Sequence, residues 1–246
     1  MNIFNRLSSA LELDTRREYT WAKGIGIGRG VISALKESDA APGWSHLSVI
    51  RKAERLSLPW LIEGKGEPFE VNRHLSDDEC AEEIACLLHD EPWTVVIASA
   101  EPRLAIVVHQ PAQDIIHGRA KRETPSNYTL CEIHLGGGPA TLAAIASKAQ
   151  EIRLKTITNK EMEAIYQGQA GTYRLLLAAD AWLRDAHPIA ADHPIFAPQE
   201  QAPRYLSREE EIILQCFAAM EPAQRETYKA IGDTLAQQDR LKKDAG

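Results

Sequence analysis

The spacing of hydrophobic residues changes along this chain and divides it into segments of different expected structure. In the first segment, apolar residues recur every three or four positions: Ile3, Leu7 and Leu11 share one stripe of an amphipathic helix. The same pattern, with breakers at Pro42-Gly43 and Pro59, predicts helices over about 2–12, 14–23, 28–37 and 44–55, and a short one from 59. We therefore expect an all-α domain over residues 1–68.

The middle of the chain has a different pattern. After a linker over 69–76, an acidic first turn begins a helix that runs to about His89. Apolar, β-branched runs then predict three strands, Trp93–Ser99, Leu104–Gln110 and Tyr128–Leu135. Long helices are predicted over about 139–154 and 159–184, the second with an interruption at Gly168 or Gly171 as an alternative. These elements predict an α+β domain over 77–200, with a small antiparallel sheet and a role in oligomerisation or regulation.

The last part of the chain returns to helical periodicity. Four prolines within 185–204 predict an irregular connector. Ser207 can cap an acidic first turn, and apolar faces near Ile212 and Tyr228 predict two helices with a corner at Met220–Pro222. A C-terminal helical hairpin is therefore expected over 206–238.

Composition narrows the class of protein. The chain has 246 residues, of which 44% are hydrophobic and 26% charged, as in ordinary globular proteins. No apolar run approaches the roughly 18 residues of a membrane-spanning helix, and no signal peptide is recognisable. The four cysteines, at 80, 86, 131 and 216, form no CxxC pair, so we expect neither a disulfide framework nor a zinc finger. A bacterial cytoplasmic protein, associated with the nucleoid, is the simplest interpretation.

Charge is distributed unevenly. Residues 1–58 contain nine basic and six acidic residues, a net charge of +3, against −10 for residues 59–246 and −7 for the chain. This asymmetry favours a nucleic-acid-binding segment attached to an acidic body.

The segment Trp21–Leu35 has the residue spacing of a DNA-binding helix-turn-helix. Ala22 is small where a second helix would cross, and Gly26 permits a positive φ between the helices. Ile32 and Leu35, three residues apart, would anchor the second helix to the core, which leaves its opposite face available to a major groove.

With these residues, and with Trp60-Leu61-Ile62-Glu63-Gly64-Lys65-Gly66-Glu67-Pro68 downstream, residues 2–68 resemble the N-terminal domain of phage and prophage repressors of the lambda-repressor-like class. The resemblance covers somewhat more than a quarter of the chain. One departure is that Gly28 and Gly30 both fall in the first turn of the second helix, where each costs about 1 kcal/mol relative to alanine.

The resemblance implies a sequence-specific DNA-binding transcriptional regulator, a phage- or prophage-type repressor that binds double-stranded operator DNA as a homodimer or higher homo-oligomer. It implies no enzymatic activity, and we predict no cofactor and no metal site. The expected base-facing positions are at the second helix: Gly28, Arg29, Gly30, Ser33 and Lys36. Arg16, Arg17 and Lys23 are expected to bind phosphates. The expected fold class is an N-terminal all-α helix-turn-helix domain plus an α+β body with a small antiparallel sheet and a C-terminal helical hairpin.

Four alternatives stay open. The first is that the body is the main binding surface, for an antirepressor or a host protein, and that DNA binding is secondary. The glycine turn Gly136–Thr141 could bind an anionic effector at a helix N-terminus. Asp185, His187, Asp192 and His193 form a local group of metal-ligand types in a proline-containing connector. Self-cleavage is not favoured, because no serine has the β-rich setting and later lysine that it requires.

Overall fold

The computed structural model describes residues 2–13, 17–38, 41–117 and 123–197, together with Met220 and Gln224. The chain divides into two compact units, Met1–Tyr205 and Leu206–Gly246, and the fold described below belongs to the first. The helical hairpin predicted over 206–238 lies outside the described residues, apart from those two positions.

Five helices come first in the described part of the chain. They are α1 (Ile3–Leu11), α2 (Glu18–Gly24), α3 (Arg29–Glu37), α4 (Trp44–Glu54) and α5 (Leu58–Glu63). Local chemistry sets several of their ends: the Asn2 side chain accepts a hydrogen bond from the Asn5 amide at the start of α1. Ser57 caps α5, whose second residue is Pro59.

A mixed sheet follows, built from six strands within the described residues. These are β1 (Asn72–Arg73), β2 (Thr94–Ala100), β3 (Arg103–His117), β4 (Glu123–Leu135), β5 (Glu151–Thr156) and β6 (His187–Pro188). Their order is β1-β4-β3-β2-β5-β6. The β1–β4 and β2–β5 pairs are parallel, whereas the other neighbours are antiparallel.

The central strands are buried on both faces, so the body has three layers. On one face, α6 (Asp77–Asp90) and α7 (Pro139–Lys148) cover Val95, Ile97 and Ile106. On the other face, α8 (Asn159–Tyr166) and the π-helical turn Tyr173–Leu177 cover Val96, Val107 and Ile133. This double coverage explains why β2 and β3 contain continuous apolar runs rather than alternating ones.

The outer half of the β3–β4 hairpin reaches beyond this body and packs against the N-terminal helices. Ile116 is 3% exposed and belongs to the same hydrophobic cluster as Leu7, Ile32 and Leu61. At the hairpin edge, the Lys52 ammonium lies 2.7 Å from an Asp114 carboxylate oxygen that also accepts a hydrogen bond from the Tyr128 hydroxyl. The hairpin therefore supplies part of the core of the helical segment.

The predicted fold class is wrong in two respects. The sheet is mixed and has six strands in the described residues, not a small antiparallel sheet. The N-terminal helices also do not form an all-α helix-turn-helix domain of their own, because Ile116 from β3 completes their core. Both errors have one physical cause: pairings between residues far apart in sequence leave no mark on local periodicity.

Two helix predictions were also too long. The helix expected over 139–154 ends at Lys148, and residues 151–156 form β5, which pairs in parallel with β2. The helix expected over 159–184 ends at Tyr166, just before Gly168, which is one of the two expected interruptions and has a φ of 59°. A Cβ on Gly171 would lie 2.2 Å from the Phe69 ring, so close packing prevents a side chain there. None of the described helices has the length and hydrophobicity needed to cross a membrane.

Candidate nucleic-acid interface

Helix α3 is the element to which the sequence analysis assigned base recognition. Ile32 and Leu35 are buried, with 0% and 2% of their surface exposed, and they fix one face of the helix to the core. Gly28 occupies the N-cap position with φ −68° and ψ 147°, and no side chain caps the first turn. The N-terminal end of α3 therefore presents backbone N–H groups and the positive end of the helix dipole at the surface.

The turn between α2 and α3 rests on the β-hairpin. Gly26 has a φ of 75°, as the sequence pattern predicts, and Ala22 is 1% exposed. A Cβ on Gly26 would lie 2.9 Å from the Pro125 carbonyl oxygen, so glycine is needed here for packing as well as for φ. The Ser126 hydroxyl donates a 2.7 Å hydrogen bond to the buried Ile25 carbonyl. These contacts fix α3 relative to the sheet.

Arg29 and Lys36 lie along the flank of α3 that faces α2. The Arg29 guanidinium lies 4.6 Å from the centre of the Tyr19 ring, and the Lys36 ammonium lies 5.4 Å from the same ring. Lys36 also forms an ion pair with Glu18, and that hydrogen bond raises the pKa of Lys36. These two contacts were not predicted, because Glu18 is 18 positions from Lys36 and Tyr19 is 10 positions from Arg29.

Directly opposite the buried face, α3 presents mostly small side chains. Gly30, Ala34 and Glu37 are exposed and Ser33 is half-buried. On a helix with 100° between successive residues, these four positions cluster away from Ile32 and Leu35. A surface of this kind lets the helix backbone approach another surface closely, with an acidic group at the C-terminal end only.

The two glycines at the start of α3 have no structural requirement of their own. A Cβ on Gly28 or on Gly30 would meet no atom within 4 Å, and neither residue has a positive φ. Alanine would favour the helix by about 1 kcal/mol at the interior position. Gly28 is the N-cap residue, a position where glycine is itself favoured over alanine. Folding of the described residues therefore does not explain the glycine at position 30, whereas close approach of a ligand to the backbone would.

The remaining predicted DNA contacts are dispersed around the helix pair. Lys23 is exposed in the last turn of α2, two residues before the α2–α3 turn. Arg17 is exposed at the opposite end of α2, where it is the N-cap residue with a φ of 59°. Arg16 lies outside the described residues. Residues 17–38 contain four basic and two acidic side chains, so this surface carries a modest positive charge.

The glycine turn before α7 already holds an anionic group from the protein itself. Asp77 accepts hydrogen bonds from the backbone amides of Ala140 and Thr141, at 2.7 and 3.3 Å, and from the Thr141 hydroxyl at 2.6 Å. A Cβ on Gly138 would clash with the Asp77 carboxylate at 2.5 Å. The glycine sequence therefore accommodates an internal carboxylate cap, at the position where an effector anion would have to bind.

The local group Asp185, His187, Asp192 and His193 does not form a metal-binding arrangement in the described part of the chain. The Nδ1 of His193 instead accepts a hydrogen bond from the Ile195 amide and begins a short 3₁₀ helix. These four residues are close in sequence, but their side chains do not converge on a common metal position.

Comparison with protein-family models, with curated proteins and with solved structures finds no match to this chain.

Proposed function

We propose that this protein is a sequence-specific DNA-binding transcriptional regulator of the phage- or prophage-repressor type, with α3 inserted in a major groove. The observation that carries the proposal is the exposed face of α3, with small residues, no capping side chain and two glycines that packing does not require. An α-helix such as α3 fits the width of the major groove of B-DNA.

The side chains around α3 have different expected roles in this complex. Ser33, near the middle of the exposed face, is suited to a base-edge hydrogen bond, and Arg29 can reach a guanine or a phosphate from the flank. Lys23 and Arg17 are suited to phosphates on either side of the helix. Lys36 is expected to contribute less than Lys23, because binding DNA would require it to leave Glu18.

Two copies of the chain are expected to act together. Few phosphates can be neutralised by the basic residues of a single helix pair, and a dimer doubles that number. We propose a homodimer or higher homo-oligomer with half-sites about 34 Å apart or a multiple of that spacing. Analytical ultracentrifugation at DNA-saturating concentrations tests this, and a monomer there would contradict it.

The proposal is tested by fluorescence anisotropy with duplexes tiled from around the protein's own gene and with random duplexes, at low and at physiological salt. Tight binding to one duplex that survives physiological salt is the expected result. Weak binding to every duplex that disappears with salt would contradict sequence-specific regulation.

Two lysines with the same helical position provide a matched pair of variants. Lys23 lies in the last turn of α2 and Lys148 in the last turn of α7, and both are exposed. Lys23→Ala should weaken binding to specific and random DNA alike and reduce the salt dependence by about one phosphate contact. Lys148→Ala, which changes net charge equally, should leave affinity unchanged. Equal losses for both variants would mean that the charge acts only at long range.

A substitution at Arg29 distinguishes base recognition from phosphate binding. If Arg29 pairs with a base edge, Arg29→Ala should weaken binding to the specific duplex by about 1–3 kcal/mol more than binding to random DNA. An equal loss on both duplexes would assign Arg29 to the phosphates and leave specificity to Ser33.

A second candidate function, recognition of a protein partner, is favoured by one observation. Trp44, the first residue of α4, has 70% of its surface exposed, and large aromatic residues are enriched in protein interfaces. If this candidate is correct, Trp44→Ala should abolish complex formation with an antirepressor or host protein and leave DNA affinity unchanged.

A further inference from the structure

Two buried histidines and a buried cysteine meet at an edge of the sheet, beneath α6. They are not part of the α3 surface. His74 follows β1 directly, and His134 belongs to β4, which pairs with β1. Cys80 lies in the first half of α6. These residues are 4%, 0% and 0% exposed, and the proposed DNA binding uses none of them.

One nitrogen of each imidazole ring points toward the other ring. His74 Nε2 lies 3.1 Å from His134 Nδ1, and the ring planes differ by only 5°. The ring centres are 5.3 Å apart, close to the largest separation that this nitrogen–nitrogen contact allows. The rings therefore lie end to end rather than face to face, and share one N–H···N hydrogen bond.

Each outer ring nitrogen faces a carboxylate. His74 Nδ1 lies 3.5 Å from Glu83 Oε2, and His134 Nε2 lies 3.6 Å from Glu132 Oε2 and 3.4 Å from the Asn72 side-chain nitrogen. Histidines that bind a metal through one nitrogen generally donate the other N–H to a carboxylate, which fixes the orientation of the ring. Both histidines therefore have a carboxylate near the outer nitrogen, as metal-binding histidines generally do.

A ligand of a third type completes the group. The Cys80 Sγ and one nitrogen of each histidine all lie within 4.8 Å of one another. Two imidazoles and a thiolate are ligands that Zn²⁺ and related divalent transition metals prefer, whereas Mg²⁺ and Ca²⁺ prefer oxygen. Two nitrogens bound to tetrahedral Zn²⁺ are separated by about 3.3 Å, which is close to the observed 3.1 Å. Because the two nitrogens now point at each other, each ring has to turn so that its lone pair points at the metal.

We propose that His74 Nε2, His134 Nδ1 and Cys80 Sγ bind one divalent transition-metal ion of the zinc class. On binding, the Cys80 thiol loses its proton to solvent and the sulfur coordinates as thiolate. The proton between the two rings moves to the outer nitrogen of the same ring, where it is donated to Glu83 or Glu132. Both imidazoles stay neutral, so the net release from these groups is one proton per ion.

Cobalt substitution of the full-length protein tests the site. Co²⁺ bound by Cys80 should give a near-ultraviolet thiolate-to-metal charge-transfer band and visible bands of a tetrahedral complex. Cys80→Ser should remove the charge-transfer band. Cys131→Ser is the matched control, because Cys131 is equally buried but lies in β4 on the opposite face of the sheet, and it should keep the band.

The second experiment measures proton release and Tm, first on the unmodified chain, where the result does not depend on how a variant folds. Addition of Zn²⁺ to metal-free protein at neutral pH should release about one proton per ion bound, and should raise Tm in a concentration-dependent way. His134→Gln should lose this increase in Tm. The proposal is overturned if Zn²⁺ releases no proton, or if Cys80→Ser and Cys131→Ser give the same Co²⁺ spectrum. DNA affinity does not enter either readout, so failure here leaves the proposed function untouched.

Discussion

At the scale of the residue, Gly30 separates the requirements of folding from those of binding. It lies in α3 with open space around its Cβ position, so Gly30→Ala should raise the free energy of unfolding by about 1 kcal/mol. If α3 approaches DNA closely, the same methyl group should lower DNA affinity. Chemical denaturation and fluorescence anisotropy on the same variant measure the two effects, which are expected to have opposite signs.

Gly24 provides the control for this substitution. It is the last residue of α2, also has open space at its Cβ position, and lines the groove between α2 and β4 rather than the outer face of α3. Gly24→Ala should therefore leave DNA affinity unchanged. A Gly30→Ala variant that is more stable and binds DNA as well as the original chain would remove the argument from close approach.

Several individual residues were predictable because their roles are local. The spacing of Ala22, Gly26, Ile32 and Leu35 predicts the small contact, the positive φ and the buried anchors that the structure has. The partners of these residues were not predictable. Gly26 packs on Pro125, which is almost a hundred positions away in the sequence, and no local pattern contains that information.

At the scale of the element, the outer half of the β3–β4 hairpin packs against the N-terminal helices and stabilises them. Ile116 is buried in the helical core, whereas its neighbour Ile115 is 54% exposed. Ile116→Ala should lower the free energy of unfolding by about 2–5 kcal/mol. Ile115→Ala, the same change on the opposite face of the strand, should alter it by less than about 0.5 kcal/mol. Equal effects in urea denaturation would mean that the hairpin does not stabilise the helices.

Strand β5 shows what element prediction from sequence could and could not recover. Glu151-Ile152-Arg153-Leu154-Lys155-Thr156 alternates polar and apolar residues, which is the signal of a strand with one buried face. The helical pattern of the preceding segment extended the predicted helix over it. The alternation could have identified the strand, but its parallel pairing with β2 depends on the α7 crossover and was not visible in the sequence.

At the scale of the whole molecule, the boundary predicted at residue 68 can be tested against the packing. The helical core includes Phe69, which is 4% exposed, and Ile116, and Arg174 forms an ion pair with Glu12 at 2.6 Å. A fragment of residues 1–68 lacks all three contributions. Loss of two large buried side chains costs about 2–5 kcal/mol each, a large part of the 5–15 kcal/mol typical of a small domain.

A fragment of residues 1–68 should therefore unfold at a lower urea concentration, and less cooperatively, than a fragment of residues 1–197 that retains the sheet. Amide hydrogen exchange of α1–α5 at increasing urea concentration follows these helices in both fragments, whereas the circular dichroism of the longer fragment would also include α6, α7 and α8. Equal midpoints would show that the five helices are an independent domain and that the hairpin contact adds nothing to their stability. A lower midpoint for the short fragment would mean that α3 is held in its exposed position by the sheet, so any ligand or substitution that loosens the β3–β4 hairpin would also weaken DNA binding.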